Sequence, residues 1–264
     1  MEAMLSAWSW PLPLWLAGAA LLAVYLFAFR PHSARGIAFF CSGLFLLVVT
    51  LASPLSALAR QYVLSAEVVI HVIASLVVPL LLIAGLSNDT GGAGRAVFIA
   101  CAGWIVGMLA ISVWYIPLLF NRVLNSGAMW AIMQGTLILG GAAFWWPILC
   151  PNTKRRIKPV PTGIWYLLAA MIWCSFVGMI LAFTKPGQYQ PYVQPRDTLG
   201  ILAALRDQWQ LSRSGDQETA GLLFWIGTMA VYLSAVLWLF YRWYTSPEMR
   251  RDVLQPSKKA REEG

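Results

Sequence analysis

"SAEVVIHVIASLVVPLLLIAGL" runs from Ser65 to Leu86. Almost every residue in it would be at home in hydrocarbon, yet Glu67 and His71 stand four positions apart near its start. A membrane-spanning helix needs roughly 20 mostly apolar residues, and this run meets that length. Residues at i and i+4 share one helix face. A carboxylate facing lipid is costly, so that face must turn into a bundle of helices. The stretch therefore predicts an all-α, polytopic membrane protein with polar neighbours for this pair.

The rest of the chain agrees with that class. Its 264 residues are 59% apolar and 11% charged, with a mean hydropathy of +0.66. Soluble domains average about 45–50% apolar and about 25% charged. Cys41, Cys101, Cys150 and Cys174 are far apart, without a C-x-x-C pair, which argues against a thiolate zinc site or a redox motif. A Walker loop, a G-x-G-x-x-G fingerprint and an H-E-x-x-H pair are all missing. The net charge of +8 reads as loop charge that sets membrane orientation, and no nucleic-acid partner is expected.

Seven stretches are apolar enough to span: Leu12–Phe29, Gly36–Leu51, Tyr62–Leu86, Ala96–Ile116, Ala128–Leu149, Gly163–Phe183 and Thr219–Tyr241. The second has room to extend to Ala59. The first does not resemble a signal peptide, because Glu2 precedes it and no Lys or Arg does. With the N-terminus outside, Arg30, Arg35, Arg95, the run "KRRIK" at 154–158, Arg242 and the basic tail all fall inside. That is about twice as many cations as remain outside, which favours N-out, C-in. Residues 1–246 form one transmembrane domain with an outer loop at 184–218, and 247–264 form a charged cytoplasmic tail. In the loop, "PGQYQPYVQPRD" reads as extended and turn-rich. "LGILAALRDQW" reads as a short amphipathic helix on the outer interface.

In this topology the polar features gather at the outer side. Glu67 and His71 lie in the outer half of the third span. Trp114 and Tyr115 end the fourth, Met129, Met133 and Gln134 begin the fifth, and Asp216 and Gln217 precede the seventh. Read as functional, Glu67 and His71 are metal ligands, a proton relay or a cofactor contact. Read as structural, they are a satisfied hydrogen-bonded pair. Met129 and Met133 are soft ligands or core filler. Trp114, Trp145, Trp146, Trp225 and Trp243 fit an interfacial aromatic belt. Asp216 is placed to cap its own helix, with Ser214 and Gln217 spaced as a capping box. Cys41, Cys101 and Cys150 read as small buried residues, and His32 as a loop residue.

Several motifs occur together and in order: "SPLSALARQYVLSAEVVIHV" (Ser53–Val72), "VWYIPLLF" (Val113–Phe120), "GGAAFWWPIL" (Gly140–Leu149), "QYQPYV" (Gln188–Val193) and "GDQETAGLLFW" (Gly215–Trp225). In these the chain resembles the CtaG-type cytochrome c oxidase assembly factors, a seven-span bacterial family, over roughly residues 35–244. The resemblance implies a plasma-membrane accessory protein, not an enzyme, that helps mature a haem–copper oxidase and handles copper at the outer face. It also implies a histidine-rich outer face, of which this chain keeps His71. Glu67, Tyr115 and Gln134 stand where the family pattern has histidines or is near one. A retained copper site would then be a Cu(I) site of His71 with Glu67, Met129 or Met133. The partners implied are oxidase subunits. The alternative is a structural subunit of an oxidase or other membrane complex that has lost the metal. A weaker alternative is a proton-coupled transporter built on Glu67.

Overall fold

The computed structural model describes residues 8, 12–29, 33–86, 96–149, 160–195, 197, 199–208 and 212–245. The expectations for His32, Cys150, the 154–158 basic run and the tail from 247 onward lie outside these residues. Among the described residues there is helix and no strand. The helices are α1 (Leu12–Val24), α2 (Ala34–Ala52), α3 (Pro54–Gln61), α4 (Leu64–Val72), α5 (Val78–Ala84), α6 (Ala96–Val113), α7 (Pro117–Leu124), α8 (Gly127–Leu149), α9 (Val160–Phe183), α10 (Gln190–Val193) and α11 (Arg213–Tyr244).

Five helical runs are long and apolar enough to span: α2, α4 through α5, α8, α9 and α11. A sixth arises if α6 and α7, bent by 68° at their junction, count as one. With its π-helical extension, α1 is a shorter apolar helix over Leu12–Ala28. Large apolar side chains are exposed around the whole bundle, among them Leu16, Phe98, Leu139, Trp165, Phe183 and Leu237. A soluble protein rarely tolerates so large an apolar surface, whereas lipid requires it.

In the loop, Gln190–Val193 is a helical turn where an extended chain was expected, and three spans depart from the sequence reading at their boundaries. The second span does not extend to Ala59: Ser53 is extended, and Pro54 opens the separate helix α3. Proline suits a first helical position because its missing N–H is an unpaired one there anyway. The fourth span stops at Val113 and bends into α7, again at a proline, Pro117. The seventh begins at Arg213, so Asp216 and Gln217 lie in its first turns and not in a loop.

The run from Ser65 to Leu86 is helical but not uniform. Between α4 and α5 lies a π-helical turn, Ile73–Val77. Pro79 has no N–H to give the carbonyl of Ser75, so the α-helical ladder breaks there. Two neighbours use the space. Trp145 donates its indole N–H to the Leu76 carbonyl at 2.9 Å. Gly141 of α8 packs directly on the Ser75 carbonyl, where any Cβ would collide with it and with Pro79. Trp145 is therefore a buried core residue and not part of an interfacial belt; Trp114 is buried too, whereas Trp225 is exposed.

Close approach recurs between the other helices. A Cβ at Gly221 of α11 would strike Ala182 of α9, and one at Gly107 of α6 would strike Phe144 of α8. Small residues let helix backbones draw together where no hydrophobic driving force distinguishes helix from lipid. Cys41 and Cys101 turn out exposed, contrary to the expectation of burial; Cys174 is the buried one. Their helix faces look outward toward the apolar surroundings, where a thiol is tolerated as a small hydrophobe.

Candidate functional site

One end of the bundle collects the start of α4, the end of α6, the start of α8, the end of α9 and the start of α11. Its polar groups are built in two tiers.

The outer tier ties helices together. The first N–H groups of a helix have no intrahelical partner. In α4, those of Leu64 and Ser65 donate to the Asp216 carboxylate at 2.7 and 3.1 Å. Asp216 thus caps a helix far from it in sequence, and its negative charge sits at the positive end of that helix dipole. The expected local cap is made instead by Ser212, whose hydroxyl accepts from Gly215 N at 3.0 Å, so Ser214 and Gln217 do not form a capping box. Gln217 donates to the carbonyls of Leu181 at 3.2 Å and of Thr184, at the end of α9. Adjacent residues of α11 therefore close the start of one helix and the end of another.

A strap from the loop lies beside this tier. The Tyr189 hydroxyl donates to the Tyr115 carbonyl at 2.9 Å, and the Tyr192 hydroxyl to that of Ala59. Both rings contact Phe120 of α7, with centroids at 5.1 and 6.0 Å. Asn121 pins the strap from both sides, donating to Gln188 O and accepting from Gln190 N. Burial pushes the Tyr189 phenol up to about 12. Further along the loop, Leu205 is buried against Ala59, Tyr62 and Ile70.

The inner tier holds Glu67 and His71, both fully buried. His71 Nε2 lies 2.9 Å from the Ile111 carbonyl. That oxygen can only accept, so Nε2 carries a proton, and in the neutral imidazole Nδ1 then keeps its lone pair. The ring stacks on Tyr115 at 4.6 Å and meets the edge of Phe224 at 6.4 Å. Glu67 accepts a long hydrogen bond of 3.5 Å from the Gln134 amide of α8. The Trp130 indole neighbours the same carboxylate, and the Arg60 guanidinium lies over that indole at 5.1 Å.

Five buried polar atoms of this tier find no hydrogen-bond partner among the described residues: Glu67 Oε2, His71 Nδ1, Tyr115 OH, Trp130 Nε1 and Gln134 Oε1. Leaving a buried polar group unpaired costs about 1–3 kcal/mol. Several such atoms, carried on α4, the end of α6 and the start of α8, make this the polar centre of an otherwise apolar bundle.

The sequence-predicted residues divide accordingly. Glu67, His71, Tyr115 and Gln134 belong to the inner tier, and Asp216 and Gln217 to the outer. Trp114 and the methionines pack in a neighbouring cluster that Trp130 borders. Met133 is buried with Ala74, Trp114, Val123 and Leu137, with Met129 packed against them, and Trp114 donates to Thr136 at 3.0 Å. The α8 face that meets Glu67 is that of Trp130 and Gln134. No group of three or more His, Cys, Asp or Glu able to hold a metal occurs among the described residues. The sequence reading gives Arg60 no part beyond an outer-side cation, and Phe120, Tyr189 and Tyr192 none beyond the motifs they stand in. For the two tyrosines the signal is their spacing, three apart in "QYQPYV".

The family described as cytochrome c oxidase caa3 assembly factor matches residues 91–246. The matched segment covers α6 through α11 and begins after the helix that carries Glu67 and His71. Searches among curated proteins and among solved structures give no match.

Proposed function

We propose, because the chain belongs to the cytochrome c oxidase caa3 assembly factor family, that it is an accessory membrane protein which assists assembly of a haem–copper oxidase and turns over no substrate. The family match carries this reading. The partners are oxidase components met within a bacterial plasma membrane. Seven crossings complete the topology if α6 and α7 act as one bent span and α1 crosses as well. The distribution of Lys and Arg supports N-out, C-in. The two polar tiers then face outward, where the one-domain bundle, residues 1–246, meets its partner, and the tail of 247–264 is cytoplasmic.

Copper handling is the finer question. His71 Nδ1 and Glu67 Oε2 are the strongest donors in the inner tier. Cu(I) favours imidazole and thioether ligands, and Met129 and Met133 pack with Trp114, Val123 and Leu137 in a cluster that Trp130 borders as well. One imidazole beside one carboxylate, with no third His, Cys, Asp or Glu grouped with them among the described residues, favours a tier without resident Cu(I). We therefore read the inner tier as working through hydrogen bonds. A second reading is a permanent structural subunit. The two separate on purification: an assembly factor leaves the mature oxidase, whereas a subunit stays at fixed stoichiometry.

Two measurements test the proposal. In cells lacking this chain, membranes should lose the absorbance of the assembled haem–copper oxidase and regain it when the chain is restored. Unchanged oxidase in its absence would refute the assembly role. Cu(I) titration of the purified protein against a competing chelator should reveal no tight one-to-one site. Tight binding that disappears in His71→Ala would overturn the hydrogen-bonding reading and restore copper.

A further inference from the structure

At the end of the bundle opposite the polar tiers, an apolar cleft of about 700 Å³ opens between α2, α5, α8 and α11. Its walls include Phe39, Leu80, Trp145, Ala235 and Trp238. On α11 it extends from Ala230 to Trp238, about 12 Å along the axis at the helical rise per residue. The floor is made by Trp145, held rigid by its bond to the Leu76 carbonyl. Phe39 on α2 and Trp238 on α11 are each close to half exposed.

The mouth of the cleft is cationic. Arg242 lies one turn beyond Trp238 and sets its guanidinium over that ring, 5.5 Å from the centroid. Arg35 stands one turn before Phe39 and is exposed. One cation thus marks the end of the α2 wall and one the end of the α11 wall. Among the described residues, the carboxylates are Glu67, Asp197, Asp207, Asp216 and Glu218, and all belong to the other end of the bundle or its loop. An apolar slot among spanning helices, ending at two arginines without a nearby described carboxylate, complements an acyl chain joined to an anionic head.

We propose that this cleft is a binding site for an anionic glycerophospholipid, one acyl chain lying on Trp145 and the phosphate reaching Arg242 and Arg35. Arginine suits that phosphate because its planar fork donates more than one hydrogen bond at once. Trp238 contributes twice, as wall to the chain and as platform for the arginine. The site lies apart from the assembly site and does not depend on that reading.

The test uses purified full-length protein in mixed nanodiscs, with phosphatidylglycerol and phosphatidylcholine of identical acyl chains, and native mass spectrometry of the lipid retained. The wild type should retain phosphatidylglycerol preferentially. Arg242→Glu and Arg35→Glu should each lower that preference about fivefold, the ratio equivalent to about 1 kcal/mol per basic residue near an anionic lipid surface. Ala235→Trp, which fills the slot, should lower retention of both lipids. Equal retention of both by the wild type, or a preference unmoved by the two charge reversals, overturns the proposal. So does retention unaffected by Ala235→Trp, or a photo-crosslinker at Ser234 that captures polypeptide and not lipid in cell membranes, since the cleft would then hold a partner helix.

Discussion

At the residue scale, Asp216 shows how a single side chain can be read correctly as a cap and assigned to the wrong helix. Sequence spacing favours local partners, and in α11 Ser212 already fills that role. The carboxylate is left to accept from Leu64 and Ser65, a pairing that only the folded bundle creates. Asp216→Asn keeps the shape and removes the charge. It should lower stability by about 1 kcal/mol, within the range for helix caps and dipole charges. Thermal unfolding in detergent measures it, and an unchanged midpoint would deny Asp216 its capping role. Tyr189 gives a pH prediction at the same scale. Its pKa is raised to about 12 by burial, above the unfolded value of about 10. The neutral phenol's contribution is therefore complete below about pH 10 and is lost as the pH rises through about 12. Cleavage of the 184–212 loop by a protease active in alkali should accelerate across that window. In Tyr189→Phe the loop should lack this dependence.

At the element scale, the hydrophobic runs gave the helices, and prolines gave the breaks. Pro54, Pro79 and Pro117 each sit at an irregularity: the start of α3, the π turn before α5, and the 68° bend. What the sequence left unreadable was the use made of each break. The freed Ser75 carbonyl is approached by Gly141, which looks like an ordinary glycine in a transmembrane run. Gly141→Leu forces a side chain into that contact and should destabilise by about 1–3 kcal/mol, the usual range for overpacking, or more if α8 cannot shift. Gly135→Leu is the control on the same helix, because nothing lies within 4 Å of its Cβ position. Detergent unfolding midpoints that fall equally in both variants would contradict the close-packing account.

At the scale of the whole molecule, the membrane class was legible from composition and the apolar runs, and the family from motifs of which all but Ser53–Val72 lie within the match over residues 91–246. The polar end was legible in outline, because Glu67 and His71 cannot face lipid. Its partners were not, since the Ile111 carbonyl and the tyrosine strap meet His71 and its neighbours through contacts distant in sequence. The proposed orientation predicts that a cysteine at Ser257 reacts with an impermeant thiol reagent only after the cytoplasmic side is opened. The central claim is that the buried tier of Glu67, His71 and Gln134 serves oxidase assembly. Complementation with His71→Asn tests it most directly, in cells lacking the chain, with membrane levels of the variant matched to wild type. The account predicts stable variant protein and little assembled oxidase in the membrane spectrum. Full recovery of the oxidase spectrum by that variant would contradict it.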